Sequence, residues 1–267
     1  MLSDVLPLTG ILEQETAVRP PKTDRIVVAD IHRTFHTDEG PLPVVGGISF
    51  TVAKGETVAI VGPSGCGKST LVNILASFDR PDSGSVMIDG TVRNGASRKA
   101  IVISQQGSVF PWMSVRDNVA FGLKEGSRAE KWAIADSFIE MVGLKGFENR
   151  HPHELSGGML KRVELARAFA VKPDVLFMDE PFSALDALMS LKMRTELARS
   201  LELQRQTLVL ITHDVEEAIH LADRILVLSP RPTRIKKTFE VTLSRPRKLT
   251  SPEAQTLKEK VLAELGL

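Results

Sequence analysis

Residues 62–69 read Gly-Pro-Ser-Gly-Cys-Gly-Lys-Ser, the spacing G-x-x-x-x-G-K-[ST]. Each residue type there has a use on a phosphate chain. Gly62, Gly65 and Gly67 let the backbone, with Ser64 and Cys66 between them, turn its N–H groups inward toward an anion. Lys68 is a mobile positive charge able to reach the β- and γ-phosphates of a nucleotide, and the Ser69 hydroxyl suits Mg²⁺. Thr70 adds a hydroxyl toward the α-phosphate. Cys66, the only cysteine in the chain, reads as a small filler inside the loop, not as a nucleophile or redox switch. A chance glycine-rich turn is the bland alternative. Placement between an apolar strand and a helix argues against it, because the helix brings its positive end to the same point.

A second chemical pair, Asp179 and Glu180, follows the apolar run Val175-Leu176-Phe177-Met178. An Asp closing a buried strand can hold Mg²⁺. The next side chain leaves a strand in a different direction, so Glu180 is free to act on an attacking water as general base or orienting group. Taken alone, the two acids fit a solvated strand end. The phosphate loop upstream gives them a shared chemistry.

Between these motifs stands Leu155-Ser156-Gly157-Gly158-Met159. Ser156 is a good helix cap, and the two glycines leave N–H groups bare at a helix start. With this segment in order between loop and acidic strand, the chain resembles the ATP-binding-cassette (ABC) family, whose signature is L-S-G-G-Q. The resemblance implies that Leu155 to Met159 close over a γ-phosphate held by another subunit, making the working unit a dimer. It further implies that Gln105 is the glutamine contacting Mg²⁺ and water and sensing a membrane partner. Ser183, Ala184, Leu185 and Asp186 match the loop at the dimer seam, and His213 matches the switch histidine on the γ-phosphate. Phe35 occupies the place of the aromatic residue that stacks on adenine. ATP and Mg²⁺ are the implied cofactors, and Lys68, Asp179, Glu180 and His213, the groups needed for hydrolysis, are all present. Departures are Met159 in place of the usual Gln, Lys161 where a further Gln often follows, and the absence of any Tyr, which leaves adenine stacking to Phe35.

Phe110-Pro111-Trp112, the stretch from Leu228 to Ile235, and Arg245-Pro246-Arg247 are similar to the nitrate, sulfonate and taurine importer branch of that family. That likeness implies a bacterial importer of a small anion, with integral membrane permease subunits and a solute-binding protein as partners. ATPases of lipid-trafficking or export complexes share every catalytic motif, and a soluble cassette acting on nucleic acid or an assembly is a further reading, against which the near-neutral charge and the short helical insert speak. Both readings stay open.

Holding these residues in place requires an α/β framework. Apolar runs predict strands at 25–31, 48–52, 57–61, 85–88, 100–103, 174–178, 207–212, 224–228 and 235–241. Helices are expected at 68–76, 115–122, 128–142, 157–171, 187–202 and 215–222. The stretch from about 106 to 167 is mainly helical, and strands alternate with helices on either side, as in an α/β core interrupted by a helical subdomain. The resemblance specifies a P-loop NTPase core of RecA-like type, its sheet mostly parallel, with an antiparallel β subdomain. Residues 1–24 read as a loosely ordered extension, 25–250 as the ATPase domain and 251–267 as a short amphipathic C-terminal helix. His151 and His153 read as a solvated loop, not a metal pair.

With 34 basic and 33 acidic residues the formal charge is +1, and no basic block stands out, which speaks against a nucleic-acid partner. A lone cysteine suits a reducing compartment. No apolar run approaches the roughly 20 residues of a membrane-spanning helix, and the first ten residues, with Asp4 and Pro7, lack a signal-peptide pattern. The expectation is a cytoplasmic protein held at the membrane's inner face through its permease partners.

Overall fold

The computed structural model describes residues 23–93, 95, 100–105 and 107–267. The expected N-terminal extension therefore lies, for residues 1–22, outside the described residues. Its last residue needs correction: Asp24 already belongs to the first strand and pairs with Ala53.

Three strands are buried along their whole length: β3 (Thr57–Val61), β7 (Val175–Asp179) and β8 (Thr207–Ile211). Such continuous apolar runs are what a parallel sheet covered on both faces requires. They lie side by side with β6 (Ala100–Ile103) and β9 (Arg224–Leu228), all parallel, and β10 (Ile235–Glu240) closes one edge antiparallel to β9. The order is β10-β9-β3-β8-β7-β6.

The period of two sorts each strand's residues onto opposite faces. Ala59, Val61, Leu176, Met178, Leu208 and Leu210 face a core shared with α4 (Gly157–Val171), α5 (Ala187–Gln204), α6 (Val215–Leu221) and α7 (Pro252–Leu265). Their neighbours Val58, Ile60, Phe177, Val209 and Ile211 face a second core. That core is completed by α1 (Lys68–Leu75) and by a four-stranded antiparallel sheet, β2-β1-β4-β5. Its strands are β1 (Asp24–Thr37), β2 (Gly40–Ala53), β4 (Ser83–Ile88) and β5 (Thr91–Val92). The remaining helices, α2 (Val115–Ala120) and α3 (Arg128–Met141), pack on each other and on α4.

The first two strands are much longer than the apolar runs at 25–31 and 48–52 indicate. They form one hairpin of two 14-residue strands. Its distal half carries Pro41, Pro43, Gly46 and Gly47, which break the apolar pattern, and register shifts interrupt the ladder. The two-residue β5 is also absent from the sequence-based expectation.

Candidate nucleotide site

The residues from β3 to α1 form the floor of a cleft of about 630 Å³. Gly67 opens α1 with φ 116°, a conformation in which a Cβ would sit 2.6 Å from the Val44 side chain, so only glycine fits. No side chain caps this helix and no acid stands in its first turn. Its leading N–H groups are therefore left without a side-chain acceptor beside the cleft, which suits an anion. The Lys68 ammonium is buried and donates to the carbonyls of Gly62 (2.9 Å) and Pro63 (3.0 Å), neutral acceptors that a phosphate can displace. Cys66 is buried, and desolvation pushes its thiol above the ordinary value, as fits an inert filler.

On the facing wall, β7 ends at Asp179 and the chain turns. Burial raises the Asp179 carboxyl above its usual range, the Glu180 charge adds to this, and a hydrogen bond from Ser69 and the Lys68 charge oppose it. Glu180 has φ 48°, in the left-handed region that non-glycine residues rarely adopt. Its N–H is held by the Ile211 carbonyl at 2.9 Å. That turn sends its carboxylate across the cleft, where one oxygen accepts from Gln105 Nε2 (3.3 Å) and the other lies 3.2 Å from His213 Nδ1. Two side chains far apart in sequence, Gln105 and His213, thus meet on the Glu180 carboxylate. Phe35 in β1 lines the opposite end beside Leu42 and Val44, with the Arg33 guanidinium 4.8 Å from its ring centroid.

Ser64, Gly65, Gly67, Lys68, Ser69 and Thr70 line the cleft, as do Gln105, Glu180, His213 and Phe35, whereas Gly62, Cys66 and Asp179 support it from outside its lining. Leu155 to Met159 do not join it. They form the start of α4, where Ser156 caps the helix through the Met159 N–H (3.3 Å). The second glycine of that start touches the next motif: a Cβ on Gly158 would lie 3.0 Å from the Ala184 carbonyl. Ser183 donates to the Glu180 carbonyl (3.0 Å), Leu185 packs on the core and Asp186 caps α5 through Met189 N–H (2.9 Å). His151 and His153 stack on each other 5.9 Å apart, with His151 reaching toward Glu154.

Three lining residues escaped the sequence reading: Leu42, Val44 and Arg231. The first two lie in the unpredicted half of the β1–β2 hairpin. Arg231 belongs to the segment from Leu228 to Ile235, whose composition was legible but whose return over the phosphate loop was not.

A phosphate loop between β3 and α1, an acidic strand end beside it and a parallel sheet beneath both define a P-loop nucleotide-binding protein. The family model described as ABC transporter matches residues 45–183, and the chain belongs to that family. An uncharacterised ABC transporter ATP-binding protein of Methanocaldococcus jannaschii is 38% identical over 252 residues, 94% of each chain. The aliphatic sulfonates import ATP-binding protein SsuB of Bacillus thuringiensis subsp. konkukian is 39% identical, over 90% of this chain and 95% of its own. The nitrate import ATP-binding protein NrtD of Synechococcus elongatus is 37% identical, over 87% and 88%. Among solved structures, a dimeric ATP-binding cassette in a post-hydrolysis state bound to ADP and Pi superposes with a TM-score of 0.74 at 28% identity, covering 81% of this chain and 98% of that one. The chain is an ABC-type ATPase that binds ATP. None of its described helices is long and apolar enough to cross a membrane.

Proposed function

We propose that this ATPase powers an importer of a small anion of the sulfonate or nitrate type, at the cytoplasmic face of a membrane. Relatives named for sulfonate and nitrate import, alike over most of the chain, support the direction and the substrate class. The observation that carries the catalytic part is the Glu180 carboxylate held between Gln105 and His213 in one cleft with Lys68.

In this reading Phe35 stacks on adenine, and Gly62 to Thr70 wrap the phosphates with backbone N–H groups and the Lys68 charge. Glu180 takes or orients the proton of the attacking water, while His213 steadies the γ-phosphate. Mg²⁺ fits the donor set. Ser69, Asp179 and Gln105 all offer oxygen, and a cation beside Asp179 would offset the burial that raises its carboxyl. Bound there, it would neutralise charge developing on the phosphates.

Leu155 to Met159, outside their own cleft, serve the nucleotide of a second cassette, either another copy or a paralogue, and Ser183 to Asp186 stand at the seam. The ATPase domain covers 25–250, with a helical subdomain at about 106–167 that moves on closure and pulls on permease subunits near Gln105. A solute-binding protein delivers the anion. The test is ATP turnover with the permease subunits in lipid, with and without binding protein loaded from a panel of small anions. Stimulation by one loaded binding protein is expected. Turnover indifferent to all of them but responsive to lipid or nucleic acid would remove the importer reading.

A further inference from the structure

The turn joining β9 to β10 is built onto the phosphate loop. Thr233 is fully buried and its hydroxyl donates to the Cys66 carbonyl, inside the loop itself. Its backbone N–H donates to the Val44 carbonyl (2.8 Å) and its own carbonyl accepts from Gly46 (2.9 Å), so the turn is also stitched to β2. Within the turn, Ser229 N–H bonds to the Arg234 carbonyl (2.9 Å) and Ser229 Oγ accepts the Arg234 N–H (3.0 Å). The four residues from Pro230 to Thr233 are thereby closed into a bridge between the phosphate loop and the wall that holds Phe35.

Arg231 sits at the crest of this bridge and lines the cleft. Its guanidinium nitrogen Nη2 lies 3.3 Å from the point where a Cβ on Gly65 would be, so it hangs over the glycine that turns the loop. Arg245 and Arg247, at the opposite end of β9, are paired with Asp223, whereas Arg231 pairs with no carboxylate among the described residues. A guanidinium on an anchored turn, without a carboxylate partner among the described residues and set over the phosphate loop, is a second positive group for an anion seated there.

We infer that Arg231 is a phosphate-binding residue of the nucleotide site, anchored by Thr233 and supplementing Lys68. This rests on the reading of the cleft as the ATP site. The glycine-lysine loop supplies contacts common to any phosphate-cradling turn, while this arginine comes from the turn after β9, the strand beside β3, and presents a planar fork to the phosphate oxygens.

Equilibrium binding of ATP and GTP to the purified chain, followed as a function of salt, tests the assignment with Arg231→Ala, Arg231→Lys and Lys68→Ala. Loss of one charged contact weakens Arg231→Ala by about tenfold for both nucleotides, with a shallower salt dependence. Arg231→Lys, which keeps the charge without the fork, recovers part of the loss. Unchanged affinity in Arg231→Ala alongside a clear loss in Lys68→Ala would overturn the inference and leave the nucleotide site standing. A loss confined to ATP would assign the side chain to the base and overturn it as well. Unchanged affinity in both variants would instead remove the reading of the cleft on which it rests.

Discussion

Glu180 combines a strained backbone, with φ 48°, and a carboxylate gripped from two sides. Sequence-unfavourable conformations persist where the surroundings over-determine them, here through the Ile211 carbonyl and the β7 and β8 strands. Glu180→Gln keeps both the shape and a hydrogen-bonding terminus while removing the carboxylate proposed as the base. ATP affinity should stay within a few-fold, and single-turnover hydrolysis should fall by at least about 100-fold. Wild-type turnover in that variant would take Glu180 out of its role. Four residues after His213, Glu217 is buried, and its Oε2 accepts from the hydroxyl of Thr212, the residue before that histidine (2.8 Å). Its Oε1 has no partner among the described residues. Desolvation foremost pushes this carboxyl from 4.5 up to about 7, with the Asp214 and Glu180 charges adding and the Thr212 bond and Arg194 opposing. The folded state therefore holds a proton that the unfolded chain has released between those two values. Stability from this group is greatest below pH 4.5 and declines as pH rises through about 7, by up to about 3 kcal/mol. Denaturant unfolding across pH 4–8 should show that slope reduced in Glu217→Gln, and parallel profiles for the two proteins would refute it.

Helix α4 shows the same conflict between burial and charge at the scale of an element. Lys161 and Glu164 are both buried and paired at 3.0 Å. Lys161 also donates to the Ser104 carbonyl (2.6 Å), and Glu164 accepts from the Ser108 hydroxyl (2.8 Å). Arg167 reaches the Ser108 carbonyl (2.8 Å), so one helix face holds the segment around Gln105 on both sides. Removing one partner leaves a buried lone charge: Lys161→Ala should cost about 3–5 kcal/mol, whereas Lys161→Met with Glu164→Leu should recover most of it. Additive losses in the double variant, measured by urea unfolding, would mean that the two side chains do not act as a pair. The extent of α4, 157–171, and of β3, β6 and β9 coincides with the sequence-based expectation residue for residue, because buried parallel strands are unbroken apolar runs and α4 opens with a serine cap. The role of Lys161 was not legible. Nothing in its i, i+3 neighbours distinguishes a buried cation from an exposed one, and its partners at Ser104 lie 57 positions away. The β1–β2 hairpin was half legible for the opposite reason. Its core-facing residues, such as Ile26, Ile31 and Ile48, are apolar, but the half that borders the cleft is built of bulges, glycine and proline. Gln105, Glu180 and His213 could be nominated singly by motif order. Their meeting on one carboxylate required the sheet order β3-β8-β7-β6, which no local pattern encodes.

For the molecule as a whole, the Ser156 cap and the bare N–H groups of α4 stand outside the cleft that holds the phosphate loop, touching Ala184 instead. A helix start with bare N–H groups favours an anion, and in the function proposed above that anion is the nucleotide held by a second cassette. Formal charge near zero imposes little repulsion between two copies, so a shared pair of triphosphates can decide the balance between one chain and two. Glu180→Gln, which retains ATP, should therefore run at twice the monomer mass by light scattering in saturating ATP and at the monomer mass in ADP. Adding Ser156→Arg puts a bulky side chain on the opposed surface without touching the chain's own cleft. That double variant should bind ATP with unchanged affinity yet stay monomeric, and Ser156→Arg alone should lose turnover that depends on protein concentration. A Glu180→Gln protein that stays monomeric at every ATP concentration would return Leu155 to Met159 to the role of an ordinary helix cap. So would a Ser156→Arg protein that hydrolyses ATP like the parent, because these residues do not line their own chain's cleft.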